Sequence, residues 1–180
     1  MLPPGHIAGG FLAAYGLLKI TKPDLAPAQV DQLLWLGAFF GFAPDLDYFV
    51  SFFKERSLTV RDFEKNTHRQ FISHAPLVWL AVGLLIYFLA SSIFVKYLGL
   101  VIWLGSWTHF IADSVEYGVM WLWPFSTKYI GLIPRDYLKI TEPGFWRYWV
   151  KFVKLYTKAV SFYLEILVII VACYILIRLF

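Results

Sequence analysis

Between positions 77 and 95 the chain reads LVWLAVGLLIYFLASSIFV, nineteen residues without a charge. A run of this length nearly matches the ~20 residues that cross a bilayer's hydrocarbon core as a helix. Residues 97–112, YLGLVIWLGSWTHFIA, resume the pattern after Lys96, and residues 159–177 form a third run interrupted only by Glu165. Two shorter apolar stretches, 7–18 and 32–44, precede them and read as helices that complete their crossing inside a bundle. The composition agrees: 59% of the 180 residues are apolar and only 16% are charged, against about 25% charged in an ordinary soluble domain. The expected fold is all-α, a polytopic helical membrane bundle of about five helices plus an interfacial amphipathic helix.

That interfacial helix is residues 145–158, FWRYWVKFVKLYTK. Arg147, Lys151, Lys154 and Lys158 recur at helical spacing, with aromatic and aliphatic residues mostly opposite and no acid between them. Such a segment suits the headgroup plane and attraction to anionic lipid; a plain basic flank of a membrane helix is the competing reading. Three regions follow: a membrane-embedded bundle at 1–122, a cytoplasmic or interfacial basic aromatic segment at 123–158, and a C-terminal transmembrane helix at 159–180. Twelve of the 16 Lys and Arg lie in the 51–75 loop and the 123–159 region, which five spans place on one side together with the N-terminus. The excess of basic residues assigns that side to the cytoplasm of an inner or cell membrane. Basic residues explained by topology need no nucleic-acid partner. The opening MLPPGHIAGG lacks the basic start of a cleaved signal peptide, and the lone Cys173 has no internal disulfide partner.

The ionisable residues inside this apolar frame fall in a pattern. His6 opens the first helix, Asp45 and Asp47 end the second, His68 and His74 precede the third, and His109 and Asp113 occupy the later part of the fourth. All of these positions lie toward the side that carries the basic residues. His109 and Asp113 are four apart and share a helix face, and Glu116 joins that face three residues on. Near lipid each ionisable group costs ~2.5–3.5 kcal/mol even on a lenient scale, so such groups are functional candidates. Imidazole and carboxylate together suit zinc, manganese or iron better than calcium. Four histidines and three aspartates exceed the need of one tetrahedral zinc, so the expected cofactor is a divalent metal, zinc or manganese, as one or two ions. Arg69 suits a phosphate or a pairing with Asp45, and Ser73 suits a bond to a ligand carboxylate.

The order His6, Pro44-Asp45-x-Asp47, His68-Arg69-x-x-x-Ser73-His74 and His109-x-x-x-Asp113 resembles the YdjM-like membrane-bound metal-dependent hydrolases. These are LexA-regulated inner-membrane proteins that share a motif grammar with zinc-dependent phospholipase C proteins. The likeness spans most of the first two-thirds of the chain, and the loop here, HRQFISHA, lacks the glycine of the family's HRGxTHS form. The resemblance implies a metal-dependent hydrolase with ligands drawn from His6, Asp45, Asp47, His68, His74, His109 and Asp113. Glu116 would then take a proton from water and Arg69 would orient an anionic group, the substrate being a phosphoester or a phospholipid head group. Two other readings stand beside it. In one, the cluster is a structural or regulatory metal or polar site in a non-enzymatic membrane protein. The other is a metal or proton transporter, which fits less well because the ionisable residues gather at one face.

Overall fold

The computed structural model describes residues 1–50, 71–116, 118–133, 140 and 144–179. Six α-helices run through the described residues: α1 Pro3–Thr21, α2 Pro27–Phe42, α3 Pro76–Leu89, α4 Ile93–Ser114, α5 Phe145–Tyr156 and α6 Val160–Leu179. The only strand-like pairing among them is an isolated antiparallel bridge between Val119 and Ile130. The architecture is therefore the expected all-α bundle, with five bundle helices and α5 as the amphipathic sixth. Three stretches are long and apolar enough to cross a membrane, Pro27–Val50, Ile93–Ser114 and Val160–Leu179. The chain is an integral membrane protein. α3 is apolar but shorter.

Local chemistry sets the helix ends. Proline stands at the first turn of α1, α2 and α3, where its missing N–H is no loss and its φ is already helical. α1 closes on Lys22 in the left-handed conformation, with its N–H on the Leu18 carbonyl at 2.9 Å. One boundary differs from the sequence reading. The 77–95 run does not form one span that breaks at Lys96. It breaks at Ala90–Ser92, where the Ser92 hydroxyl accepts the Val95 N–H at 3.2 Å and starts α4. A serine N-cap outweighs a single lysine as punctuation, because the long lysine side chain can lie along a helix with its ammonium displaced toward water.

α1 packs along α2 and α4 and meets α6, while α3 packs along α4. The core between them holds Phe11, Ala14, Leu18, Leu33, Leu34, Ala38 and Val101. α1 and α2 approach at glycines. A Cβ added at Gly10 would strike the Gly37 carbonyl and lie 2.8 Å from the Gly41 Cα; one added at Gly41 would strike the His6 carbonyl. Gly37 and Gly41 are four residues apart, the small-residue spacing that lets helices touch in membranes. This contact brings the start of α1, with His6, against the end of α2.

Because the backbones themselves are in contact, Gly10→Ala must push the helices apart. The expected loss is about 2 kcal/mol, in the overpacking range. Thermal unfolding in detergent should show a clear drop for Gly10→Ala and almost none for Gly16→Ala, since a Cβ at Gly16 meets nothing within 4 Å.

Candidate metal centre

Each donor reaches the centre for a local reason. Pro44 cannot continue the α2 hydrogen-bond ladder, and the chain tightens into a 3₁₀ turn over Ala43–Leu46. That turn carries Asp45, with Asp47 just behind it. His74 ends another 3₁₀ turn, Ile72–His74. Two indoles hold this segment: Trp79 Nε1 donates to the Ser73 carbonyl at 2.7 Å, and Trp107 Nε1 donates to the Pro76 carbonyl at 3.0 Å. His109 and Asp113 share one face of α4, with His109 Nε2 3.9 Å from Asp113 Oδ2.

The donors form two triads that meet at one histidine. His6, His109 and Asp113 make the first, and Asp45, His74 and His109 the second, with the ligand atoms of each triad within 4.8 Å of one another. His6 Nε2 lies 3.4 Å from Asp113 Oδ1, His109 Nε2 lies 3.5 Å from Asp45 Oδ1, and His74 Nε2 lies 3.6 Å from the same Asp45 oxygen. Two ligand atoms ~2.1 Å from a tetrahedral ion are roughly 3.4 Å apart. The separations match those of ligands around an ion; the Met1 ammonium donates to Asp113 Oδ1 at 3.0 Å and the Met1 carbonyl lies 3.1 Å from His6 Nε2. At the point the two triads share, His109 Nε2 is buried and makes no hydrogen bond among the described residues. Buried imidazole nitrogens without a partner are uncommon. A divalent cation fits both triads.

The second layer fixes the rings. His109 Nδ1 lies 3.0 Å from the Gly41 carbonyl. A donor at that nitrogen leaves the Nε2 lone pair for a ligand role. Since Nδ1 is committed, His109 can serve only one ion through a nitrogen, although it belongs to both triads. Asp47 stands outside both triads. Its Oδ2 lies 2.6 Å from His74 Nδ1 and accepts the Ser73 hydroxyl at 2.6 Å. That is a carboxylate–histidine arrangement in which Asp47 orients His74.

Glu116 is also placed differently from the sequence reading. α4 ends at Ser114, so the helical face that would align Glu116 with Asp113 is lost in the following turn. Its carboxylate accepts the Ser161 hydroxyl at 2.6 Å and the Ser161 N–H at 3.4 Å, tying the end of α4 to the start of α6. His68 and Arg69 lie outside the described residues. Glu165, the one charge inside the last apolar run, makes a polar contact between helices. Its carboxylate caps α1, accepting the Gly5 N–H at 3.0 Å, the Leu2 N–H at 3.3 Å and the Tyr156 hydroxyl. α1 has no capping side chain of its own, so the carboxylate of α6 meets its unpaired N–H groups and its positive dipole end. Gly5 makes room for it, because a Cβ there would lie 2.7 Å from Glu165 Cγ. The unexplained charge in the last apolar run was the available signal.

Charge balance adds a second argument. Asp45, Asp47 and Asp113 gather around three imidazoles in a largely buried space. Burial by itself lowers the His74 pKa, but hydrogen bonds and charge from Asp45 and Asp47 outweigh it and raise it to about 9. Without a metal, a proton on His74 and the Met1 ammonium, 3.0 Å from Asp113 Oδ1, supply positive charge to the cluster. A metal taking His74 must displace that proton. Its apparent affinity should therefore rise with pH up to about 9 and fall as the solution is acidified, which zinc titration at several pH values will read. Replacing Asp47 by Asn should weaken zinc binding by roughly 10–100-fold, as loss of such an orienting partner usually does. Glu116→Gln should leave zinc affinity unchanged and lower the melting temperature instead.

The family model described as YdjM inner membrane protein matches residues 1–180. No curated protein and no solved structure matches the chain. With its whole length matched, the chain belongs to the YdjM inner membrane protein family.

Proposed function

We propose that this protein is a metal-dependent hydrolase of the membrane surface whose substrate is a phosphoester, such as a phospholipid head group. The observation that carries the reading is the meeting of two His/Asp triads on His109 Nε2 at ligand-like separations. His6, Asp45, His74, His109 and Asp113 are the ligands of this proposal, for zinc or manganese. His68 is a further ligand in it, and Asp47 is the residue that positions His74. When bound, a divalent ion supplies a lowered water pKa and polarises a phosphoryl oxygen. The chain's own residues do the rest. Asp45 keeps 18% side-chain exposure where the other triad donors keep 1% or less, so substrate and water arrive on its side. Arg69 holds the anionic group, as its fork geometry suits phosphate oxygens. Glu116, engaged by Ser161, acts as a tie between helices in this account and leaves proton transfer to Asp45. The excess of basic residues beside the donor end supports a cytoplasmic orientation.

A structural metal site in a non-enzymatic membrane protein is the second reading. The burial of every triad donor except Asp45 favours it, since closed sites are the structural ones and catalytic sites keep a position open.

Elemental analysis of the protein purified without chelator should find at least one equivalent of zinc or manganese, lost on His109→Ala. Turnover of a phosphodiester such as bis-p-nitrophenyl phosphate should vanish with the metal and return on reloading. Stripping that removes all metal yet leaves turnover intact ends the hydrolytic proposal. Stripping that lowers the melting temperature in a protein with no phosphoester turnover establishes the structural site.

A further inference from the structure

α5 is divided lengthwise into three stripes. Tyr148, Phe152 and Tyr156 recur every four residues, are buried, and stack ring on ring. They seat the helix against Leu2 and Phe162, and the Tyr156 hydroxyl donates to Glu165. A second stripe, Trp146, Val150 and Val153, is apolar yet 78%, 54% and 53% exposed. A third stripe, Arg147, Lys151, Lys154 and Lys158, is basic and exposed, and no acidic residue occurs between 145 and 158.

Two occupants compete for the outer stripes. A solvated basic face accounts for the lysines but leaves a tryptophan and two valines in water. Membrane topology asks only for positive charge on one side, in any arrangement, and does not sort the residues around the helix. An acidic membrane surface satisfies both stripes at once: acyl chains meet the apolar one, and negatively charged headgroups meet the basic one. We propose that α5 is a docking surface for anionic phospholipid headgroups, lying in the interface with Trp146, Val150 and Val153 toward the acyl chains. The inference is independent of the metal reading. Tyr156 and Glu165 fasten α5 to the start of α1, one residue from His6.

The test uses the full chain reconstituted in phosphatidylcholine vesicles containing 25 mol% of a brominated lipid, either phosphatidylglycerol or phosphatidylcholine. Subtracting the signal of Trp146→Phe isolates the fluorescence of Trp146. Brominated phosphatidylglycerol should quench it about twofold more than brominated phosphatidylcholine, and 0.5 M salt should erase the difference. A Lys151→Gln/Lys154→Gln variant should narrow the preference, and full neutralisation of Arg147, Lys151, Lys154 and Lys158 should abolish it. Equal quenching of the unmodified protein by the two lipids overturns the proposal without recourse to any charge variant. So does the absence of quenching by either lipid, which would mean that protein covers Trp146. A preference that survives full neutralisation overturns it as well.

Discussion

Gly41, on α2, meets two of the other elements that make the centre. Its lack of a side chain admits the backbone of α1 at His6 and Gly10, and its carbonyl receives His109 of α4. Helix packing and ring orientation thus depend on the same peptide unit. Membrane helices gain no hydrophobic force from packing on one another, so close backbone contact is one of the few ways to fix them. Here that contact also fixes where two imidazoles stand, and the centre inherits the rigidity of the α1–α2 crossing.

The buried charges are arranged so that neutrality can be reached by more than one route. Three carboxylates gather with three imidazoles, and the positive charge beside them can be the Met1 ammonium, a proton on His74 or a metal ion. The second layer narrows the choice. Asp47 and Ser73 hold His74, and the Gly41 carbonyl holds His109, so the nitrogens that point inward are those with ligand capacity.

The sequence was most legible where apolar context made polar residues conspicuous. His6, Asp45, His74, His109 and Asp113 stood out because lipid-embedded helices rarely carry such groups, and they are the residues that the fold brings together. Roles were harder to read than positions. Whether Asp47 faces an ion or a histidine depends on how sharply Pro44 turns the chain, and the departure of Glu116 depends on α4 ending at Ser114. Both are termination effects, set by a few hydrogen bonds that residue spacing does not encode. The break at Ala90–Ser92 follows the same rule: a hydroxyl cap, not the charge of Lys96, sets that boundary. The pairing of Gly37 and Gly41 with Gly10 was not legible, because Gly10 sits on another helix and nothing local names it.

The Glu165 cap has a consequence for biogenesis. His6 belongs to a helix whose leading turn is closed by a carboxylate 160 residues downstream of Gly5. While the ribosome is still making the intervening chain, that turn has only the local bonds of the Gly5 and His6 N–H groups to the Leu2 carbonyl and none to a capping side chain. Closure of the turn that carries His6 is thereby tied to the making of α6: it is complete only after that helix has been inserted and has swung its acid beneath the first.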